Sequence, residues 1–308
     1  MTEKIAVLLG GLSSEREISI KSGNAVYEAL LSKGRDVVRI DVSTDPVSQI
    51  REQNADIAFI ALHGAFGEDG TIQTMLDEAG IPYTGSGSEA SRLAMDKLAS
   101  KKIFRDHKLN VPDYVALTGS KVWLGKKWAQ SPIFLPAVVK PNREGSSIGM
   151  SVAANTRDLA KAIEEAFKYD ESIMIEEFID GDDITVGILD EAPLPVIHIK
   201  PKEGIYDFNN KYTQGATEYI VPAQLDPKKI EEAQSLGLIA HEALGCRNFS
   251  RVDMRIDKIG NIFILEVNTI PGFTSTSLLP KAAQAAGIDF ADMCLRIIES
   301  KGAAVKNG

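Results

Sequence analysis

The 308-residue sequence is poor in the residues that build covalent cross-links and soft-metal sites. It has only two cysteines, Cys246 and Cys294, which lie far apart and form no CxxC pair. A disulfide framework and a thiolate zinc site are therefore excluded, and both thiols are expected to be buried. The four histidines show no HxxxH spacing, so a histidine metal site is not expected either.

Long apolar runs are also absent. No stretch approaches the ~18–20 apolar residues that a membrane-spanning helix needs. The first apolar run, Ile5–Leu9, follows Lys4 but is too short for a signal peptide and precedes charged residues without an A-x-A cleavage site. We therefore expect a buried strand at this position, a cytoplasmic protein and no membrane partner.

Basic residues are outnumbered, with 34 Lys and Arg against 43 Asp and Glu and a net charge of -9. This balance argues against nucleic acid as the main partner, because phosphate backbones need a basic face. It leaves room for a local basic pocket that binds a small phosphate ligand. At roughly 100–200 residues per domain, the length fits two or three domains.

The first 90 residues alternate strands and helices. Strands are predicted at 4–9, 36–41 and 56–62, with helices at about 14–33 and 69–79. This βαβαβ order predicts an α/β fold with a doubly wound parallel sheet, whose ligands bind beyond the carboxyl ends of the strands. The loops 10–16 and 63–70 occupy such ends.

The remaining chain is predicted to form two further units. The second carries helices near 91–107, a helix capped by Thr156, and strands that include 136–140 and 172–179. The third carries strands near 183–200, a helix near 227–244, a hairpin at 250–268 and two C-terminal helices. We therefore expect three domains, at 1–90, 91–182 and 183–308.

The predicted hairpin at 250–268 carries the clearest sequence indication of a functional site. Its turn suggests that Lys258 pairs with Asn261, which places Asp253 opposite Glu266. By the same count, Arg251 lies opposite Asn268, and Ile262, Ile264, Glu266 and Asn268 share one face. Two carboxylates that face each other repel unless a hard cation such as Mg²⁺ lies between them. The alternative is a solvated polar face.

The segment Val138–Gly149 (VVKPNREGSSIG) ends an apolar strand with Lys140 and continues into a loop rich in glycine and serine. Backbone N–H groups of such a loop can bind phosphates while the lysine neutralises their charge. The Walker A pattern is absent. An ordinary turn with an exposed lysine is the alternative.

Three loops carry ambiguous patterns. Gly85–Ala90 fits the dinucleotide pattern GxGxxA but lies too late in the sheet, so an NAD enzyme is disfavoured. In Gly10–Glu17, Glu15 either holds a substrate ammonium or is a first-turn acid favoured by the helix dipole. His63–Gly70 is either a site loop or a loop with a helix cap at Asp69.

Taken together, these segments resemble the D-alanine–D-alanine ligase family of the ATP-grasp superfamily over nearly the whole chain. Seven motifs occur in order: GGLSSERE at 10–17, LHGAFGEDGTIQ at 62–73, MDK at 95–97, VVKPNREGSSIGM at 138–150, KYTQGATEY at 211–219, SRVDMRI at 250–256 and LEVNTIPGFTSTSLLP at 265–280. The resemblance implies a three-domain ATP-grasp architecture. It also implies an enzyme that joins two D-alanines for peptidoglycan precursors, and a homodimer.

The resemblance assigns the nucleotide and metal contacts. ATP, as co-substrate, should be bound by Lys97, Lys140, Gly145, Ser146, Ser147, Glu176, Glu177, Ile179 and Asp183. Two Mg²⁺ ions, which Mn²⁺ can replace, should be held by Asp253, Glu266 and Asn268.

It also assigns the amino-acid sites. Glu15 should bind the ammonium of the first D-alanine, with His63 nearby, and Ser277 and Leu278 should bind the carboxylate of the second. Arg251 and the Gly272 N–H should stabilise the oxyanion. Lys211 and Tyr212 should belong to a covering loop, with Tyr212 bonded to Ser146 and Glu15. The implied reaction passes through an acyl phosphate, from which the covering loop excludes water.

The sequence departs from the family pattern at three positions. Asp183 stands where glutamate is usual, Glu177 where lysine is frequent, and Phe273 where methionine is common. The first two positions belong to the expected nucleotide site. Two other functions remain as alternatives: a related ATP-grasp ligase with another acid and amine, and a non-catalytic nucleotide sensor, although the latter would be expected to lack a metal ligand or Arg251.

Overall fold

The structure is a computed structural model that describes residues 3–42, 45–119, 133–202, 213 and 215–300. Among these residues, no helix combines the length and the apolar character that crossing a membrane requires. Both cysteines are buried and free, as the sequence predicts.

The N-terminal unit is a parallel sheet with helices, and the α/β prediction is confirmed. Its elements are β1 (Lys4–Gly10), α1 (Arg16–Ser32), β2 (Asp36–Val42), α2 (Pro46–Glu52), β3 (Ile57–Ile60) and α3 (Thr71–Ala79). The strand order is β2-β1-β3, and both pairings are parallel. Gly34 and Gly80 follow α1 and α3 with φ of 72° and 66°, the left-handed backbone that ends helices at glycine.

Helix α2 was not predicted from the sequence, although its start signal is present. The Asp45 side chain accepts a hydrogen bond from Ser48 N at 3.1 Å, and Pro46 occupies the first helical position. The helix is only seven residues long, so its apolar periodicity is too short to detect.

The second sheet is antiparallel and flanked by helix α6. The elements of this part of the chain are α4 (Ser88–Met95), α5 (Lys97–Asp106), β4 (Tyr114–Thr118), β5 (Ala137–Pro141), β6 (Ser151–Ala153), α6 (Thr156–Ala166) and β7 (Ser172–Glu177). The strand order is β4-β7-β5-β6. Helix α6 is capped by the Asn155 side chain and not by Thr156, which corrects the prediction by one residue.

The third sheet is the largest and carries the predicted hairpin. Its region contains β8 (Gly181–Leu189), β9 (Ala192–Pro193), β10 (Ile197–Pro201), β11 (Thr217–Ile220), α7 (Pro227–Ala243), β12 (Phe249–Asp257), β13 (Ile262–Asn268), α8 (Leu278–Ala285) and α9 (Phe290–Glu299). The order is β11-β10-β8-β12-β13, with β9 paired to β8.

Apolar packing joins the C-terminal helices to the N-terminal sheet. Buried residues of α8 and α9 belong to the same core as β1 and β3. The Gly85 loop adds a polar connection, because its N–H donates to Asn248 Oδ1 at 3.1 Å and its carbonyl accepts from Arg247 Nε at 3.1 Å. The GxGxxA pattern therefore marks a contact between regions of the fold.

Candidate active site

A cleft of about 940 Å³, including its open mouth, lies between the second and third sheets. It is lined by nine of the residues predicted from the sequence: Lys97, Lys140, Ser147, Glu176, Glu177, Ile179, Asp183, Asp253 and Glu266. A smaller depression joins it and is lined by Gly145 and Asn268, with Lys97 and Glu266 shared between the two. Residues that are up to 169 positions apart (97 to 266) therefore meet in one place.

Lys97 is placed by the start of α5. Asp96 caps this helix by accepting from Ala99 N at 3.0 Å, and Asn142 Nδ2 donates to the same carboxylate at 3.0 Å. The Lys97 ammonium donates to Glu144 O at 2.8 Å and lies 3.5 Å from Glu266 Oε2. One cation thus lies between the glycine-serine loop and the acidic hairpin, where a terminal phosphate would need it.

The glycine-serine loop has an unusual backbone. Ser146 and Ser147 have φ of 50° and 59°, and Gly149 has φ of 70°. Left-handed backbone costs a non-glycine residue roughly 1–2 kcal/mol, and such strain occurs most often at functional sites. A Cβ at Gly149 would lie 2.6 Å from the Tyr169 ring, so the close packing there needs glycine.

The far end of the cleft contains a buried cluster of three charges. Lys140 Nζ donates to Glu176 Oε1 at 3.1 Å, and Lys101 Nζ lies 2.9 Å from Glu176 Oε2. Lys101 is fully buried and Glu176 is nearly so. Lys101 was not singled out in the sequence, although it follows Lys97 by four residues on a predicted helix and so lies on the same face.

The segment after β7 forms the next wall. The Glu177 N–H donates to Asp113 O at 2.8 Å, and Ile179 is buried. Asp183 lies on β8, 3.5 Å from Arg255 on β12. Arg255 also donates to Gly181 O at 2.6 Å, so the shorter carboxylate at position 183 has a cationic neighbour within the cleft.

The acidic pair of the hairpin has the predicted register. Asp253 lies opposite Glu266, and Arg251 lies opposite Asn268. Asp253 accepts from Arg251 at 2.8 and 2.7 Å, from Thr185 Oγ1 at 2.7 Å and from Asn268 Nδ2 at 3.1 Å. The Asp253 carboxylate is therefore held by donors on β8, β12 and β13.

Two details of the hairpin prediction were wrong and cancel each other. Asp257, and not Lys258, pairs with Asn261 next to the turn, through an N–H to O bond of 2.9 Å. A register shift between Asp253 and Met254 leaves Leu265 without a partner, and this β-bulge restores the count.

The bulge also changes which side chains share a face. Ile262 and Ile264 lie in the core together with Val267, whereas Leu265 and Glu266 line the cleft. The expectation that Ile262, Ile264 and Glu266 share a face was therefore wrong, because strict alternation does not hold across a bulge.

Glu15 and Ser146 connect the N-terminal loop to the glycine-serine loop. Ser146 Oγ donates a hydrogen bond to Glu15 Oε1. Two glycines permit this approach, since a Cβ at Gly64 or at Gly145 would lie 2.7 or 2.9 Å from Glu15 Oε2. Glu15 immediately precedes α1, and its side chain makes no capping hydrogen bond to that helix.

His63 belongs to a buried chain of hydrogen bonds. Its Nδ1 lies 3.1 Å from Glu68 Oε1, and its Nε2 lies 3.0 Å from Ser22 Oγ. Ser22 Oγ accepts from Phe273 N at 3.2 Å. If Glu68 is ionised it can only accept, so Nδ1 carries the proton and Ser22 donates to Nε2. The chain ends on the peptide next to Gly272.

The loop after β13 brings together the remaining predicted residues. The Ser277 hydroxyl accepts from Thr274 N at 3.2 Å, and a Cβ at Gly272 would lie 2.8 Å from that hydroxyl. Ser277 precedes α8 and Leu278 begins it with a buried side chain. Any contact of Leu278 with a carboxylate would therefore use its backbone N–H at the helix start.

Comparisons with known proteins agree with this arrangement. Sequence models described as the D-ala D-ala ligase N-terminus and C-terminus match residues 45–86 and 103–299. The chain is 48% identical to a D-alanine–D-alanine ligase of Geotalea uraniireducens (strain Rf4), over 96% of this chain and 95% of the relative.

The chain belongs to the D-alanine–D-alanine ligase family.

Two solved structures of this family extend the comparison. The D-alanine–D-alanine ligase from Bacillus anthracis superposes with a TM-score of 0.87 at 37% identity, covering 97% of each chain. Its complex with ATP gives a TM-score of 0.84 at 34% identity, again covering 97% of each chain. The predicted ATP-grasp ligase architecture is thereby confirmed.

Two residues expected in the covering loop of this ligase family, Lys211 and Tyr212, lie outside the described residues. Two residues that the sequence did not indicate, Lys101 and Ser22, are described by the structure and contact residues of the site. Ser22 shows no motif of its own, because its role depends on contacts with residues 41 and 251 positions away.

Ser22→Ala is expected to lower kcat of this ligase by about tenfold, because the Phe273 N–H loses its acceptor and the Gly272 loop shifts. Ser19→Ala is the matched control: Ser19 is equally buried on α1 but donates to Ala61 O at 2.8 Å, away from that loop. Thermal unfolding should show similar stability losses of about 1–3 kcal/mol for both variants. Steady-state kinetics should show the fall in kcat for Ser22→Ala alone. Equal kcat values in the two variants would contradict the role of Ser22.

Proposed function

We propose that this chain is an ATP-dependent D-alanine–D-alanine ligase that supplies peptidoglycan precursor synthesis. It joins two D-alanines through an acyl phosphate and releases ADP and phosphate. The observation that carries the proposal is the contact between Ser146 and Glu15, which joins the loop beside Lys97 to the loop at the end of β1. An amino acid bound at Glu15 would therefore have its carboxylate close to the terminal phosphate of a nucleotide in the cleft.

The nucleotide half of the site consists of the cleft residues. Lys97 and Lys140 supply positive charge, and the backbone N–H groups of 145–147 are suited to phosphate oxygens. Glu176, Glu177 and Ile179 would contact the base, and Asp183 the ribose. Phosphoryl transfer depends mainly on such positioning and charge compensation.

The metal ligands proposed are Asp253, Glu266 and Asn268, whose oxygens suit Mg²⁺ and equally Mn²⁺. Two facing carboxylates, compensated here by Arg251 and Lys97, fit such a site. Within the described ranges, no group of three or more His, Cys, Asp or Glu side chains could hold a metal. Two ions would therefore need oxygens of the nucleotide as well, where they would neutralise phosphate charge.

The first D-alanine would place its ammonium against Glu15, with His63 nearby, and attack the γ-phosphoryl group with its carboxylate. The second D-alanine would bind with its carboxylate at Ser277 and the Leu278 N–H. Its deprotonated amine then attacks the acyl carbon. Arg251 and the Gly272 N–H would hold the oxyanion until phosphate leaves.

The decisive assay measures ADP release and dipeptide formation with and without D-alanine. We expect both products only when D-alanine is present, in a ratio of about one to one. D-Lactate, D-serine and L-alanine serve as alternative acceptors. ADP release that does not depend on D-alanine would reject the proposal.

Glu15→Gln is expected to raise the Michaelis constant of the first D-alanine by about 10- to 100-fold, the equivalent of a charge-assisted contact of roughly 1.5–3 kcal/mol. The constant for ATP should change little. Glu17→Gln, an exposed acid in the first turn of α1, is the matched control. Equal losses for D-alanine and ATP would instead indicate a structural role for Glu15.

The division into domains at 1–90, 91–182 and 183–308 is supported by the presence of one main sheet in each, with the first boundary falling inside α4 and the second near the start of β8. We also propose a homodimer, which sedimentation would test, and a cytoplasmic location, where ATP is available. Lys211 and Tyr212 are proposed to cover the site, with Tyr212 favouring an amine over a hydroxyl acceptor.

A further inference from the structure

Lys101 is a fully buried lysine that the reaction described above does not use. It lies one helical turn after Lys97 on α5, and its ammonium is 2.9 Å from Glu176 Oε2. The other oxygen of the same carboxylate accepts from Lys140 at 3.1 Å. Glu176 is paired with Tyr114 in the sheet, and the Lys101 ammonium lies 5.9 Å from the centre of that ring.

Burying this charge is unfavourable unless a partner compensates it, so the position of Lys101 has a physical cost. Burial lowers the pKa of Lys101, and the charge of Glu176 opposes this shift. Burial also raises the pKa of Glu176, but Lys101 and Lys140 outweigh it and hold that pKa below its ordinary value. Glu176 is therefore ionised at neutral pH.

An ionised carboxylate accepts hydrogen bonds and cannot donate them, whereas a protonated one can donate. Glu176 lines the cleft, and its two lysine neighbours leave part of its acceptor capacity unused. Adenine presents an exocyclic amine at carbon 6, which donates. Guanine presents a carbonyl oxygen there, which would face a negative charge.

We propose that Lys101 is a positioning residue that holds Glu176 as an ionised, oriented acceptor for the exocyclic amine of the nucleobase, and so makes the cleft select adenine over guanine. This inference rests on the proposed binding of ATP in the cleft. Lys101 itself touches no substrate and acts through Glu176.

A double-mutant cycle on nucleotide binding tests this role. Lys101→Met, Glu176→Gln and the double variant are compared with the unmodified protein by calorimetric titration with ATP and with GTP, in the presence of Mg²⁺ and without D-alanine. Lys102→Met is the matched control, because Lys102 is the next residue of α5 and its side chain is exposed. Thermal unfolding reports stability separately.

Lys101→Met is expected to weaken ATP binding by about tenfold or more and GTP binding much less, so that the preference for ATP falls. In the Glu176→Gln background the same change should alter ATP affinity by less than about twofold, because the partner through which it acts is gone. Lys102→Met should leave both affinities unchanged.

The proposal would be overturned if Lys101→Met weakened ATP binding and GTP binding equally. It would also be overturned if the loss of ATP affinity were the same in the unmodified protein and in Glu176→Gln. Either result would mean that Lys101 only stabilises the packing of α5. If Lys101→Met does not fold, the double variant, which removes both charges of the Lys101–Glu176 pair, is compared with Glu176→Gln, and a further loss of ATP affinity of about fivefold overturns the proposal. An unmodified protein that binds no ATP would also overturn it. A protein that binds ATP selectively but forms no dipeptide would refute only the proposed ligase function.

Discussion

Glu266→Gln is expected to lower kcat by roughly 100-fold or more while the protein stays folded. Glutamine has nearly the same shape but removes the charge that faces Asp253 across the hairpin. The nucleotide's divalent cation would then keep one carboxylate ligand in place of two, so the Mg²⁺ concentration for half-maximal activity should rise.

The measurement is a Mg²⁺ titration of dipeptide formation, together with thermal unfolding in the absence of nucleotide. The unfolding midpoint should change little, because the relief of repulsion with Asp253 offsets the loss of the 3.5 Å contact between Lys97 and Glu266. Glu231→Gln is the control, since Glu231 is exposed on α7 and far along the chain from the hairpin. Full activity of Glu266→Gln at ordinary Mg²⁺ would remove Glu266 from the site.

Arg251→Lys is expected to lower kcat by roughly 100- to 1,000-fold, the usual effect of losing one oxyanion donor. The guanidinium holds both oxygens of Asp253, at 2.8 and 2.7 Å. Lysine keeps the charge but cannot make this two-pronged contact, so it cannot hold its ammonium in the same place.

The ratio of ADP to dipeptide shows which step is affected. If Arg251 serves the second step, acyl phosphate should still form and then hydrolyse, and the ratio should exceed one. Arg255→Lys is the comparison, because Arg255 lies on the same face of β12 but pairs with Asp183. It should raise the Michaelis constant for ATP and leave the ratio at one. A ratio of one in Arg251→Lys would contradict the oxyanion role.

The local elements were largely predictable because their signals are local. The continuous apolar run of β1 predicts a strand covered on both faces, and Gly34 and Gly80 end helices in the left-handed conformation that glycine favours. Helix α2 and strand β4 were missed because each is short and lacks a clear period.

The hairpin formed by β12 and β13 was predicted only in part from its sequence pattern. The opposition of Asp253 and Glu266 was predicted correctly, but the turn was placed one residue off and the bulge at Leu265 was not foreseen. A bulge has no reliable signal in a single strand, because it depends on how both strands pack against their neighbours. The face on which Glu266 lies was therefore decided by the sheet and not by alternation.

The sequence by itself determined the α/β class, most of the strands and helices in their order, the set of acidic, basic and glycine-rich segments, and the family to which their motifs belong. Tertiary structure alone decided that Ser146 meets Glu15, that Ser22 connects His63 to the Phe273 peptide, and that Lys101 faces Glu176. The physical reason is that these contacts join residues 41 to 251 positions apart, or depend on which face of a helix is buried. No local period or propensity encodes such contacts, and only the packing of the three sheets brings them within hydrogen-bond distance.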